Sequence, residues 1–207
     1  MSSLTDTAVV IIDPYNDFLH PSGKLNGLLA QSLKETDTIK HLQMLVKVAR
    51  AHGIPIFYGL HQQHKPGFIG GWKHATPMQE SQRDSVAFQE GSWGVEIYDG
   101  LEPDISRGDV VVSKHWCSSS FQNTDLDYQL RQRGITKLVL GGLTANTCLE
   151  STTRYAYELG YHTTMLKDAT AGFTTEQKDA ATEIIWPLFA NRVTTVGEWA
   201  RGLDKAA

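Results

Sequence analysis

The sequence predicts an α/β domain built on a mainly parallel six-stranded sheet with helices on both faces. Three observations predict it. Short apolar runs bounded by Gly, Pro or charged residues alternate with longer segments whose apolar positions recur every three or four residues. The short runs are continuously apolar, which marks strands buried on both faces of a parallel sheet. The chain has 207 residues, 41% of them hydrophobic, enough for one sizeable core, since a domain of this size removes roughly 70% of its unfolded surface from water. One domain over residues 1–207 is expected.

Each element follows in turn. Residues 7–12 are the first strand, and it ends at Asp13-Pro14, where the proline drives Asp13 out of helical geometry. Residues 36–52 place Ile39, Leu42, Leu45, Val46 and Ala49 on one helical face, with Gly53 as the stop. Residues 54–58 and 109–113 are the second and third strands, and 124–133 a helix closed by Gly134. Residues 136–141 form the fourth strand, 147–159 a helix closed by Gly160, and 162–166 the fifth strand. Residues 175–189 read as a helix and 192–196 as a last short strand. Residues 60–108 show no clear period and carry His61, His64, Trp72, His74 and Trp93. A long irregular insert in a compact domain covers a site or joins subunits more often than it idles.

Composition removes several classes of function. There are 19 Lys and Arg against 23 Asp and Glu, a net charge of −4, and no basic stripe, which argues against a nucleic-acid partner. No apolar run approaches the roughly 18 residues that a membrane span needs. The first six residues lack a basic segment followed by an apolar stretch, so no signal peptide is read. Two cysteines do not make a disulfide framework. These readings lead to the expectation of a cytoplasmic protein with free thiols that acts on a small molecule.

Ligands of open parallel sheets bind beyond the carboxyl ends of the strands. Asp13 stands there after the first strand, Lys114 after the third, and Cys148 in the first turn of the helix after the fourth. Taken singly, Asp13 suits a strand-end turn, Lys114 a solvated terminus and Cys148 a small apolar filler. Together they suit acyl transfer. A thiol attacks only as thiolate, which a helix N-terminus and a nearby ammonium both favour. A carboxylate in reach can take the proton and hand it to a leaving amine. Gly141 and Gly142 lead off the strand and permit close backbone approach before Cys148.

Four ordered blocks carry a family resemblance. Asp13-Pro-Tyr-Asn-Asp-Phe18 resembles the D-x-Q-N-D-F opening of the isochorismatase-like hydrolases. Ser113-Lys114 followed by Phe121-Gln-Asn-Thr-Asp-Leu126 resembles their lysine strand and F-x-x-T-D-L segment. Gly142-Leu-Thr-Ala-Asn-Thr-Cys-Leu-Glu-Ser-Thr152 resembles their G-x-x-T-N-x-C-V-x-x-T block, and residues 157–169 resemble the stretch after it. The match runs from about residue 7 to 196. Tyr15 replaces the usual Gln, Leu149 the usual Val, and Thr144 lies one place further from the cysteine than the pattern has it.

The resemblance implies a doubly wound α/β/α fold with strand order 3-2-1-4-5-6. It also implies a triad in which Cys148 is the nucleophile, Asp13 the general base and acid, and Lys114 the cation that orients Asp13. A cis peptide between Leu143 and Thr144 would direct the N–H groups of Thr144 and Cys148 to an oxyanion. Relatives that bind a divalent ion use an Asp-x-His segment where this chain has Gly59-Leu60-His61. No metal at His61, His64 and His74, and no cofactor, is therefore expected. Phe18, Trp72 and Phe121 are the expected apolar pocket walls, while Cys117 is read as packing or a surface thiol. Relatives are commonly dimers or tetramers, so a homo-oligomer is expected. The implied activity is hydrolysis of a C–N bond in a small amide or ureide through a cysteine thioester. The alternatives are a vinyl-ether hydrolase of the isochorismate type and an idle member that serves as a binding protein.

Overall fold

The computed structural model describes residues 4–205. β1 (Thr7–Ile12) is buried along its whole length. Successive side chains of a strand point to opposite faces. Val9 and Ile11 thus enter one apolar layer, and Ala8, Val10 and Ile12 the other. β2 (Ile56–Gly59) pairs with one edge of β1 and β4 (Lys137–Gly142) with the other, so that Val9 lies between Ile56 and Val139. β3 (Val110–Val111), β5 (His162–Leu166) and β6 (Arg192–Thr194) complete a sheet of order β3-β2-β1-β4-β5-β6, parallel throughout. The chain starts in the middle, builds outward to β3, then returns to the other side of β1. The crossover point therefore lies between the carboxyl ends of β1 and β4.

Helices cover both faces. α2 (Asn26–Glu35), α3 (Thr38–Ala51) and α8 (Val196–Asp204) bury Leu29, Leu33, Leu42, Leu45, Trp199 and Leu203 on the Val9 face. α5 (Leu126–Gln132) and α6 (Glu150–Glu158) bury Leu126, Leu130 and Ala156 on the other, where Trp186 joins them. A short α1 (Asn16–Leu19) follows β1. The insert is less irregular than its sequence implies. It holds α4 (Pro77–Ser85), opened by a reciprocal Thr76–Gln79 capping box with proline in the first turn.

Several elements differ from expectation. α2 was not expected, because Gly27 and its weakly patterned polar residues blunt the helical period. α8 was not expected either, though Thr195-x-x-Glu198 is a capping-box signature and forms one. The third strand shrinks to two residues because Asp109 leaves the ladder to act as a polar hub. Its carboxylate accepts from the N–H groups of Ile56 and Asp104 and from Arg50. The helix expected over 147–159 starts with a π-helical turn at Ala145–Leu149 and becomes α-helical only at Glu150. The one expected over 175–189 is α-helical as α7 (Thr175–Asp179), widens to a π-helical turn and tightens at Trp186–Leu188, where Pro187 removes a donor. Among the described residues no helix is long and apolar enough to cross a membrane.

Gly142, at the crossover, has φ +117°, and a Cβ there would lie 2.2 Å from the Ile12 carbonyl oxygen. Gly142→Ala is expected to destabilise the fold by about 2–4 kcal/mol, from combined strain and overpacking, in chemical denaturation. A loss within experimental error would contradict this reading of the crossover.

Candidate active site

The site is assembled from three chain ends at the crossover. Asp13 leaves β1 in the left-handed region, with φ +51°, a conformation that Asp tolerates better than most residues. Its N–H is anchored on the Gly59 carbonyl, and its side chain is fully buried. One carboxylate oxygen, Oδ1, accepts the His61 N–H at 2.6 Å and faces His115 Nε2 at 3.2 Å. The other, Oδ2, is buried without a partner among the described residues. Tyr15 holds this arrangement from behind, its hydroxyl donating to the His61 carbonyl at 2.9 Å.

His115 owes its position to strand parity. Beyond β2 and β3 the two chains stay side by side, with His61 opposite His115 and the His115 N–H on the Leu60 carbonyl. Alternate side chains of an extended segment face opposite ways, so His115 turns inward and Lys114 does not. Its Nδ1 meets the Cys117 carbonyl at 3.2 Å while Nε2 meets Asp13. Both partners are acceptors, so both ring nitrogens are satisfied only when both carry protons. Burial opposes the charge, but Asp13 outweighs it through its charge and its hydrogen bond, and the imidazole is held above its ordinary 6.5. His61, buried beside it, is pushed the other way, chiefly by burial.

Cys148 comes from the π-helical turn after β4. The Leu143–Thr144 peptide is cis. The loop is pinned on both sides by Leu143 N–H to the Ile12 carbonyl and Ala145 N–H to the Ala171 carbonyl, each at 2.9 Å. The Thr144 N–H has no acceptor among the described residues. The Thr144 and Thr147 hydroxyls lie 2.6 Å apart, and Thr147 approaches Cys148 Sγ at 3.9 Å. Burial first, and then the negative charge of Asp13, push the Cys148 thiol well above its ordinary value. A carboxylate oxygen of Asp13, a ring nitrogen of His115 and Cys148 Sγ all lie within 4.8 Å of one another.

A cavity of about 350 Å³ opens over Asp13 and Cys148, within the usual range for small-molecule sites. Phe18, Leu25, Leu28, Met78, Phe88, Trp116 and Phe173 form its apolar wall, with Gln79, Gln82 and Ser118 among the polar residues that also line it. Among the described residues no Lys or Arg lines it.

The isochorismatase domain model matches residues 7–197. The chain belongs to the isochorismatase family. It is 29% identical to ureidoacrylate amidohydrolase RutB of Rhizobium rhizogenes, over 98% of this chain and 85% of that one. It is 33% identical to ureidoacrylate amidohydrolase RutB of Caulobacter segnis, over 79% of this chain and 72% of that one. A crystal structure of a cysteine hydrolase from Pseudomonas syringae pv. phaseolicola superposes with a TM-score of 0.77 at 26% identity, covering 99% of this chain and 95% of that one.

Within this family frame the structure brings Asp13 and Cys148 together and corrects the third position. Lys114 is half-buried and forms no hydrogen bond or ion pair among the described residues; the group against Asp13 is His115. The pocket is corrected too. Phe18 lines the cavity, but Phe121 packs into the core against Tyr161, and Trp72 lies outside against Phe68 and Trp116. Sequence reasoning weighed His61 only as a metal ligand and missed Phe88, both delivered by the insert. Asp17 and Asn16 stitch that insert down, as Asp17 accepts the Phe88 N–H at 2.7 Å and Asn16 donates to the Trp93 carbonyl at 3.1 Å. His74 is exposed while His61 and His64 are buried with ring centroids 5.3 Å apart, so the three do not form one cluster.

Proposed function

We propose that this protein is a cysteine amidohydrolase that cleaves the C–N bond of a small, uncharged amide or ureide through a thioester on Cys148. The observation that carries the reading is the buried convergence of the Asp13, His115 and Cys148 side chains, of which Asp13 and Cys148 border the cavity. The relatives named as amidohydrolases support the bond class.

The chemistry follows from the electrostatics. The raised thiol stays protonated in the empty site, because a thiolate beside the Asp13 carboxylate would be a second buried anion. When a carbonyl carbon meets Sγ, Asp13 takes the thiol proton as the C–S bond forms. The Thr144 and Cys148 N–H groups receive the oxyanion, a contribution of roughly 3–4 kcal/mol per well-placed donor. Asp13 then returns the proton to the nitrogen, the C–N bond breaks, and ammonia or an amine leaves. Water, deprotonated by Asp13, cleaves the thioester and the thiol is restored. His115 acts through Asp13. As imidazolium it supplies the positive charge that lets a carboxylate persist without solvent.

The cavity wall narrows the substrate. A carboxylate brought against Phe18, Leu25, Met78 and Phe88 would meet no compensating Lys or Arg, and an uncompensated buried charge is expensive. This disfavours an isochorismate-type ether substrate, which carries carboxylates, and it favours a neutral amide oriented by Gln79, Gln82 or Ser118.

Cys148→Ala is expected to lower amide turnover at least about a thousandfold with the fold retained. Quenched wild-type enzyme should gain the mass of an acyl group that hydroxylamine removes. Turnover by Cys148→Ala would exclude the nucleophile assignment. His115→Gln should lower kcat by about a hundredfold with little change in KM, and His115→Lys should recover most of that loss, because a cation is restored beside Asp13. Lys114→Ala should stay within about twofold, because His115 and not Lys114 meets Asp13; a larger loss there than at His115 would return the cation role to Lys114. In a panel of amides matched for size, uncharged members should exceed carboxylate-bearing ones by at least about tenfold in kcat/KM, roughly the cost of one poorly compensated polar group. The opposite preference would remove the substrate class.

A further inference from the structure

The three groups that converge here are the Asp13 carboxylate and the Cys148 thiol, which border the cavity, and the His115 imidazole against Asp13. That donor set also ligates metal, which the lysine that the family resemblance implies does not, since an ammonium has no lone pair to give. The geometry is close to a tetrahedral zinc site. At bond lengths of 2.0–2.3 Å, ligand atoms of such a site lie roughly 3.3–3.8 Å apart. Asp13 Oδ1 and His115 Nε2 are already 3.2 Å apart, and every pair in the set lies within 4.8 Å. The thiol needs to close by at most about 1–1.5 Å, within reach of a small side-chain rotation.

Two further observations point to a ligand. Asp13 Oδ2 is buried with no hydrogen-bond partner among the described residues, so one carboxylate oxygen is free to bind. His115 is also oriented as a ligand usually is. Its Nδ1–H is held on the Cys117 carbonyl at 3.2 Å, which fixes the ring with Nε2 toward Asp13. Asp13 and Cys148 border the cavity, so a fourth position would remain open to water, as in three-ligand zinc sites.

We propose that Asp13, His115 and Cys148 form a binding site for a zinc-class divalent cation, and that the bound cation holds the hydrolase inactive. Mixed sulfur, nitrogen and oxygen ligation in a tetrahedral arrangement selects zinc over magnesium or calcium, which take oxygen ligands. Binding displaces the Cys148 thiol proton and the His115 Nε2 proton into solvent, leaving a neutral imidazole and a thiolate on the ion. The nucleophile and the proton acceptor are then both occupied, and no group remains to attack a carbonyl. The inhibitory consequence rests on the proposed amidohydrolase reading; the binding does not.

The test uses full-length protein stripped with a chelator and titrated with Co²⁺ as the spectroscopic probe, then with Zn²⁺. One Co²⁺ per chain should bind with a thiolate-to-cobalt charge-transfer band, and Zn²⁺ should abolish the band by displacement. Cys148→Ser should lose the band and bind Zn²⁺ at least tenfold more weakly, and His115→Gln should show a similar loss, each checked for folding by its thermal transition. His74→Ala should bind as the wild type does. Amide hydrolysis by the wild type should fall as Zn²⁺ saturates the site and return with chelator. Binding without the band, undiminished binding by both ligand variants, or turnover that rises with Zn²⁺ would overturn the proposal. A charge-transfer band in protein that hydrolyses no amide after chelation would leave the metal site standing and remove the hydrolase reading instead.

Discussion

A carboxylate that has lost all contact with solvent lies at the centre of this molecule, and its neighbours are arranged to make that tolerable. Asp13 is the residue at which β1 ends and the sheet changes direction. Burying an ion costs several kcal/mol even after relaxation, and the cost is offset only by good hydrogen bonds and an opposite charge. Here the His61 N–H supplies the first and His115 the second. Both come from chains that run on past β2 and β3, so the insert must descend onto the sheet end for the carboxylate to survive there. Tyr15 and Asp17 hold the insert down through the His61 carbonyl and the Phe88 N–H. Fold and site are thus one electrostatic problem.

The same constraint explains the state of the thiol. Cysteine hydrolases are often pictured with a standing thiolate, and a helix N-terminus beside a cation would favour one. In this site burial, and then the negative charge of Asp13, hold the Cys148 thiol well above its ordinary value. The His115 imidazole, held above its ordinary value by Asp13, faces Asp13 instead. In the proposed mechanism the proton therefore stays on sulfur until a carbonyl arrives, and Asp13 then accepts it. A histidine in this role differs from a lysine in two respects. It gives up its charge near neutral pH, and once neutral it offers a lone pair.

Much of the fold was legible because it depends on coarse features. The apolar stretches within residues 7–12 and 136–141 read as central strands, and the glycines at 53, 134 and 160 mark helix ends. Asp13 and Cys148 were legible for the same reason, since each directly follows a strand that could be placed. Lys114 was misread because β3 is too short to set a register from sequence, and a one-residue error in an extended segment turns every side chain to the other face. A lysine also looks more like a cation than a histidine does. The pocket was less legible still. Phe121 and Trp72 are as aromatic as Phe18, but only tertiary packing decides that one fills the core and another lies outside. α8 was missed despite its capping box, and there the signal was present and unread.

The most direct test of the account is the protonation of one ring. Nitrogen NMR of the His115 imidazole at about pH 6.5, its ordinary midpoint, should give both nitrogens the shifts of an imidazolium in the wild type, and a predominantly neutral ring in Asp13→Asn. A ring that is neutral in the wild type, or equally charged in both proteins, would contradict the claim that this site is organised around a buried Asp13–His115 ion pair.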